Sequence, residues 1–365
     1  LKVYKLELEV ETPLVITEDQ TTNILRHSAS YISGSAIRGS LLTYLHNEKK
    51  KNIEQEINDP KLVFHPAYLL IGEDVTRPAH PLVFSCKLCA EDSIFTELSK
   101  EVIISREIDK AIPTKCPKGH LFSTKSKGGE LIIERKENGK KTFKSVELDN
   151  YFTSIESIGI NRKLGSVEVG MIYSYIALSP RTKFTSLIFD QGERINELDV
   201  ESEFTLYIGR GTSRGLGHVR AKLNEDSEFI DKEINRIKAT IENLDRIVIL
   251  RALSPVFHIE IKSDLNGNTY LWSNPTLAAQ SIPSGLSKYH LIGDKNYLLT
   301  GMSKVSGFST ISNIPKVSLE GAKPGSLFFY KSSYDLDYEK LVNCELSGFG
   351  QFSYSGFNIL EVYEL

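Results

Sequence analysis

The chain has 365 residues, 40% hydrophobic and 25% charged, which is enough apolar material for two ordinary domains and excludes disorder, collagen and a coiled coil. With 44 lysines and arginines against 47 aspartates and glutamates the formal charge is −3, so no global positive field advertises nucleic acid and any such site must be a local patch. Four cysteines are too few for a disulfide scaffold and point to a reducing compartment, and no apolar run reaches the roughly 18 to 20 residues of a membrane span; a cytoplasmic protein with no membrane partner is expected.

Val3, Tyr4, Leu6, Leu8 and Val10 recur with near period two, which predicts an opening strand rather than a signal peptide. A polar loop then leads into YISGSAIRGSLLTYLHNEKKK, where Ile37, Leu41, Leu42 and Leu45 share one side of a predicted helix. Ser35 is its expected N-cap, and Gly34 is expected to turn the backbone sharply into it. Ser33-Gly34-Ser35 would present free N–H groups at a positive helix end with Arg38 one turn in, an arrangement that holds a phosphate. An ordinary capped core helix reads equally well from these residues alone.

Residues 60 to 150 break the pattern with short apolar pieces, prolines and three clustered cysteines, and read as an insertion. Cys86-Lys87-Leu88-Cys89 and Cys116-Pro117-Lys118-Gly119-His120 form a CxxC and a CxxxH, two knuckles that together close a tetrahedral Cys3His shell. A full shell is structural rather than catalytic, and zinc is its expected ion; unpaired thiols of a reduced protein are the alternative. The metal would hold together a segment too poor in apolar residues to fold alone. Between Lys110 and Lys144 ten lysines and arginines stand against three glutamates, which reads as a nucleic-acid stripe or as a solvated hairpin around Asn138-Gly139. Cys344 stands apart and reads as a small buried hydrophobe.

Strand character returns in GINRKLGSVEVGMIYSYIALSP and FTSLIF, and then in FTLYIGRGTSRGLGHVRAKL. Within the last, Gly209, Gly211, Gly215 and Gly217 stand among Arg210, Ser213, Arg214 and Arg220. Glycines let backbone approach a ligand closely and arginines clamp phosphates, so the mixture suits a sugar-phosphate chain; a glycine hairpin with solvated arginines is the plainer reading. The glycines precede a strand rather than a helix, and no GK[ST] follows, which argues against Rossmann and P-loop sites. From Asn224 to Asp245 the period changes: Ile230, Ile234, Ile237, Ile241 and Leu244 draw the apolar stripe of a core helix. A second strand-rich half follows, with Asn266-Gly267 as a hairpin turn, and ends in SGFGQFSYSGFNILEVYEL. Each half opens with a strand and closes on a glycine-rich turn into a strand, which points to two copies of one fold.

YISGSAIRGSLL after the first strand, paired with GRGTSRGLGHV at the end of the first half, resembles the signature pair of the RAMP superfamily of CRISPR-associated RNA-binding proteins. IGINRKLGSVEVGMIYSYIAL resembles that superfamily's strand pair around a basic turn, and VSGFSTISNIPKVSLEGAKPGSLFFYK the C-terminal half of its large two-domain subunits. The Cys-rich insertion is similar to that of the type III-D subunit which caps the 5′ end of the crRNA. The resemblance implies an α+β chain of two ferredoxin-like, RRM-like domains, 1–225 with the zinc-bearing insertion and 226–365. It implies a non-catalytic subunit that binds the crRNA 5′ tag and contacts the large polymerase-like subunit and the backbone RAMP subunits. By the same resemblance Gly34, Ser35 and Arg38 would hold tag phosphates, and Arg210, Ser213, Arg214 and Gly215 would line the RNA backbone. Asn161, Arg162 and Lys163 would sit at the hairpin dividing tag from spacer. The last turn departs from the pattern, carrying Phe349, Phe352 and Tyr354 and no arginine, which suits protein or a stacked base instead of phosphate.

Two other functions fit the residues less well. An endoribonuclease would use His27 as general base with Arg26 or Arg38 as cationic stabiliser. A zinc scaffold without RNA contact would explain the negative net charge but not the glycine and arginine turns.

Overall fold

The opening strand forms over Lys2–Val10, with Tyr4, Leu6, Leu8 and Val10 buried and Lys5, Glu7 and Glu9 turned outward, as period-two alternation requires. The structure, a computed structural model, describes residues 1–16, 25–89, 94–137, 140–161, 166–263, 269–305, 308–309, 314–315 and 318–365. On one side Lys2–Val10 pairs antiparallel with Lys183–Asp190 and on the other with His218–Glu225, so that Leu8 stands between Phe184 and Ala221. Glu203–Tyr207 extends the sheet beyond His218–Glu225, while Leu62–Phe64 and Tyr68–Ile71 extend it beyond Lys183–Asp190. The helix Gly34–Asn47 lies on this sheet, burying Ile37, Leu41 and Leu45 in the cluster that holds Leu6, Leu8 and Phe184. Its N-cap is Ser33, whose Oγ accepts from the Ala36 amide, so Ser35 does not cap it. Gly34 is the first helical residue, needed for close packing rather than for a sharp turn.

Much of the stretch expected as an insertion adds to the same sheet: Asp74–Pro78, Leu131–Glu137 and Lys140–Ser145 continue it outward. Between Pro78 and Leu131 a separate module stands off it, with the small sheet Ile94–Thr96, Val83–Cys86 and Thr124–Ser126 and the helix Lys100–Ser105. This module packs on the second half, where Leu82, Phe84 and Ile103 share a buried cluster with Ile249, Leu327 and Phe329.

The helix Phe229–Asn243 forms where the apolar stripe predicts, with Ile237 and Ile241 fully buried. It feeds the strand Ile247–Ala252, which is buried at every position. Val248 and Leu250 join the main core while Ile247 and Ile249 face the module's cluster, which explains why the sequence here is an unbroken apolar run rather than an alternating one. Arg251, the one charge in that strand, is held by Glu134 and Glu361. Those pairings keep Glu361 ionised against the pull of its burial, with a pKa of about 2. A buried cation is tolerable only with such partners.

Strand pairing in the second half parallels that in the first. Ile247–Ala252 pairs with Leu327–Ser332 and Leu360–Val362, Leu250 lying between Phe328 and Val362, as Leu8 does between Phe184 and Ala221. The crossing hydrogen bonds repeat as well: the Arg181 amide donates to Val10 and the Gly325 amide to Ala252, and the Leu14–Leu178 bridge recurs as Val256–Ala322. One continuous core joins side chains of both halves, from Leu6 to Leu250 and Phe328. Among the described residues no helix is long and apolar enough to cross a membrane.

Candidate nucleic-acid interface and metal centre

The first glycine turn is a rigid frame with an open tip. Thr212–Arg214 form one 3-10 turn bracketed by Gly211 and Gly215, both left-handed at φ 82°. Below it the Ile208 amide donates to the Gly217 carbonyl at 2.8 Å, and the Gly217 amide to Pro13 at 3.0 Å. The Arg210 amide donates to Val15 at 2.9 Å, tying the turn to the chain just beyond the opening strand. Arg210, Ser213, Arg214 and Gly215 are exposed, and the space around Gly215 is open. Two guanidinium groups and a hydroxyl thus project from one small fixed loop, a donor set suited to phosphodiester oxygens. At its foot Tyr207 meets the His218 ring edge-on at 4.7 Å and is 44% exposed.

The helix start lies elsewhere, against the second glycine turn. A Cβ on Gly34 would meet the Phe64 carbonyl oxygen at 2.0 Å and Gly356 Cα at 2.9 Å. The two glycines therefore touch backbone to backbone. Ser35 Oγ shares a hydrogen bond with Ser33 Oγ at 3.1 Å. Arg38 donates to the Glu56 carbonyl at 3.1 Å, pairs with the Glu56 carboxylate at 3.8 Å and lies over the Tyr354 ring. Burial lowers its pKa, opposed by Glu56. Gly34, Ser35 and Arg38 are thus gathered with Tyr354 and Gly356. Asn161 ends the strand Phe152–Asn161 opposite Ser166, and Arg162 and Lys163 lie outside the described residues.

The basic stretch is partly paired within the chain. Lys125 and Lys127 pair with Glu130, Arg135 with Asp74, Lys136 with Glu364 and Lys141 with Glu134. At least five of its ten cations are therefore engaged within the chain, and Asp74 and Glu364 bring two counter-charges from outside the stretch that lower the local excess read from the sequence.

The two knuckles do converge. Cys89 Sγ lies 3.8 Å from Cys116 Sγ, and His120 Nδ1 is 3.6, 3.4 and 3.5 Å from the sulfurs of Cys86, Cys89 and Cys116. All four donor atoms fall within 4.8 Å of one another. A tetrahedral ion with metal–sulfur bonds of about 2.3 Å and metal–nitrogen bonds of about 2.0 Å would space its ligands by about 3.8 Å between sulfurs and about 3.5 Å between sulfur and nitrogen, so the cluster fits one metal ion. Ser123 Oγ lies 3.2 Å from Cys86 Sγ and 3.1 Å from the His120 carbonyl oxygen, tying the knuckles together. Although burial pushes the Cys86 thiol up, hydrogen bonds from Ser123, the Leu88 amide and His120 carry it down to about 5, favouring the thiolate a metal requires.

His27 is exposed, donates from Nδ1 to the Ser28 carbonyl at 2.7 Å and packs edge-on to Phe152 at 4.8 Å. Of the cations considered as its partners, Arg38 is engaged by Glu56.

Sequence reasoning passed over an aromatic region in the second half, where Tyr270 and Trp272 lie 46% and 47% exposed on one strand. Their spacing of two in YLW was the available signal.

No curated protein matches the chain. Among solved structures it is similar to a chain of the type III-B Cmr-beta complex bound to cognate target RNA and AMPPnP, at 12% identity over 93% of this chain and 87% of that one, with a TM-score of 0.47. It is also similar to a structure described as a RAMP protein binding different RNA substrates, at 9% identity over the whole of both chains with a TM-score of 0.38. Oligomeric Cmr4 from Pyrococcus furiosus aligns at 14% identity over 62% of this chain and 99% of its own, with a TM-score of 0.28. The family model of the RAMP superfamily matches residues 7–220, from the opening strand through the first glycine turn to the strand that follows it, and the chain belongs to that superfamily.

Proposed function

We propose that this protein is a non-catalytic RNA-binding subunit of a type III, III-D-like CRISPR effector complex that holds the 5′ tag of the crRNA and meets the large polymerase-like subunit and the backbone RAMP subunits. The observation that carries the reading is the first glycine turn, with Arg210, Ser213, Arg214 and Gly215 exposed on a 3-10 turn whose base is fixed by three backbone hydrogen bonds. Preorganised cations contact phosphates without first ordering a loop, and phosphate contact positions an RNA end without reading its sequence. Asn161, Arg162 and Lys163 would lie along the same RNA, and Gly34, Ser35 and Arg38 at the second turn would border it.

Two ferredoxin-like domains, 1–225 and 226–365, are the architecture of this proposal. The strand orders support it: in each half the first strand lies between the third and the last, and the second pairs on the far side of the third. Zinc is the ion proposed for Cys86, Cys89, Cys116 and His120. When bound it would cross-link the module and supply no reaction chemistry, since the four protein ligands fill its shell. The engagement of His27 and Arg38 within the chain supports a binder rather than a nuclease.

The test is to purify the protein with its neighbouring subunits and sequence the RNA that travels with it. Short RNAs sharing one 5′ tag are expected, with the same ends whether they travel with wild type or with His27→Ala. RNA-free protein would overturn the reading, and precursor cleavage lost only in His27→Ala would establish the enzyme instead. Metal analysis is expected to give one zinc per chain. Chelation should open the module between Pro78 and Leu131 to protease, because an ion of this kind contributes about 10 kcal/mol or more to folding of its own segment.

A further inference from the structure

The second half carries an aromatic surface and a cavity that the proposed phosphate site does not use. Tyr270 and Trp272 are two apart on the strand Thr269–Asn274, hence on one face and about 7 Å apart. Lys262, cross-strand to Tyr270, places its ammonium 4.6 Å over the Trp272 ring. Glu260 opposite Trp272 is taken up by His258 at 2.7 Å and holds Lys262 at 3.6 Å. Two half-exposed aromatic rings in line, with one cation beside them, form a stacking surface with little net charge.

The same hairpin runs into the second glycine turn. His258, two ladder steps from the Glu260–Trp272 pair and so on the same face, lines a cavity of about 460 Å³ together with Phe257, Gln280, Ser281, Gln351 and Asn358. Its polar lining is amide, hydroxyl and imidazole, with no arginine or lysine, and its wall is aromatic. Such a lining suits a planar, uncharged group with hydrogen-bonding edges, the description of a nucleobase and not of a phosphate. Cavity and ring pair lie along one face of the hairpin.

We propose that this hairpin and cavity form a second RNA site that binds unpaired bases by stacking on Tyr270 and Trp272 and by insertion beside Gln280 and Gln351. The inference rests on the reading that the chain binds RNA and adds to it a charge-poor, base-directed site separate from the arginine turn. A protein partner covering Trp272 is the competing occupant. RNA is favoured on this face because the rings stand with a cation at strand spacing and lead into a polar cavity, while the apolar pair a protein would cover, Ile261 and Leu271, lies on the hairpin's other face.

Trp272 is the sole tryptophan of the chain, so intrinsic fluorescence reads this site directly. The full-length protein is titrated with a short single-stranded oligoribonucleotide, following both tryptophan emission and the anisotropy of labelled RNA. Saturable quenching is expected, absent with a duplex of the same sequence, whose bases are already stacked. Tyr270→Ala and Trp272→Ala should each lower affinity at least about fivefold, and Trp272→Phe should restore most of it. Both positions are half exposed, so the fold tolerates the changes. Anisotropy that reports binding while emission stays constant overturns this site and leaves the arginine turn standing. No binding in either signal overturns the RNA reading itself. Normal RNA affinity in Trp272→Ala, with loss of a co-purifying subunit, would make the surface a protein contact and overturn the proposal.

Discussion

Two glycine turns of the same backbone shape close the two halves of this chain, and they carry opposite chemistry. In the first, Thr212–Arg214 sit between left-handed Gly211 and Gly215; in the second, Ser353–Ser355 sit between left-handed Phe352 and Gly356. The amide of Ile208 bonds Gly217 as that of Phe349 bonds Asn358, and Gly217 reaches Pro13 as Asn358 reaches Pro255. In that alignment Arg210 corresponds to Gln351, Ser213 to Tyr354 and Arg214 to Ser355. One backbone thus presents cations in the first copy and amides and aromatic rings in the second. The surroundings differ too: Gly215 faces open space, whereas Gly356 is pressed against Gly34. The first turn keeps an exposed face, and the second is spent partly on joining the halves.

The largest test of that contrast is Gly356→Ala against Gly215→Ala. Both glycines have positive φ, which costs a β-carbon about 1 kcal/mol. Only at Gly356 would the added atom lie 2.6 Å from another backbone, so that variant should lose about 3 to 5 kcal/mol in denaturant unfolding and Gly215→Ala about 1 kcal/mol. Equal losses would mean the second turn is not clamped.

Acid comes next. His65 Nε2 donates to the Leu346 carbonyl at 2.9 Å, just before the second turn, and burial pulls its pKa down to about 4. A histidine kept neutral when folded binds fewer protons than when unfolded. Its stabilisation is therefore full above about pH 6.5 and is lost as pH falls toward 4, by roughly 3 kcal/mol. His80, lowered by burial beside Arg251, acts in the same direction. Melting of wild type should fall across this window more steeply than that of His65→Gln, and parallel curves would contradict the assignment.

On the ligand side, Arg214→Ala should weaken binding of single-stranded tag RNA by about 1 to 3 kcal/mol, and Ser355→Ala, its counterpart in the second turn, by no more than about 0.5 kcal/mol. Equal effects in a filter or anisotropy assay would remove the division of labour.

Much of this was legible in the residues. The alternation of Lys2–Val10, the stripe of Phe229–Asn243, the repeated closing turns and the convergence of Cys86, Cys89, Cys116 and His120 all follow from period or spacing, which are local quantities. What depends on pairing at long range was not. That Gly34 exists to admit Gly356, that the metal module rests on Ile249 and Phe329, and that Asp74 and Glu364 pair with Arg135 and Lys136 of the basic stretch all join residues far apart in sequence. Charge counted along the chain overestimates a patch whenever its counter-charges arrive from another strand. The cap was misplaced for a smaller reason: both serines of Ser33-Gly34-Ser35 can accept an amide, and packing of Gly34 selects the first.

Salt separates the two turns most finely. Each phosphate neutralised by an arginine releases condensed counterions, so affinity for a single strand falls with salt by about 0.7 in log–log slope per contact. Stacking on a neutral ring releases none. Replacing Arg210 and Arg214 together by alanine should therefore flatten the slope by about 1.4 while lowering affinity at low salt. Tyr270→Ala should lower affinity by a comparable factor at every salt concentration and leave the slope unchanged. Because both variants weaken binding, a single affinity cannot tell cation from ring, but the two slopes can. If the aromatic variant also flattened the slope, Lys262 beside Trp272 would be a phosphate contact, and the second half would repeat the chemistry of the first as well as its backbone.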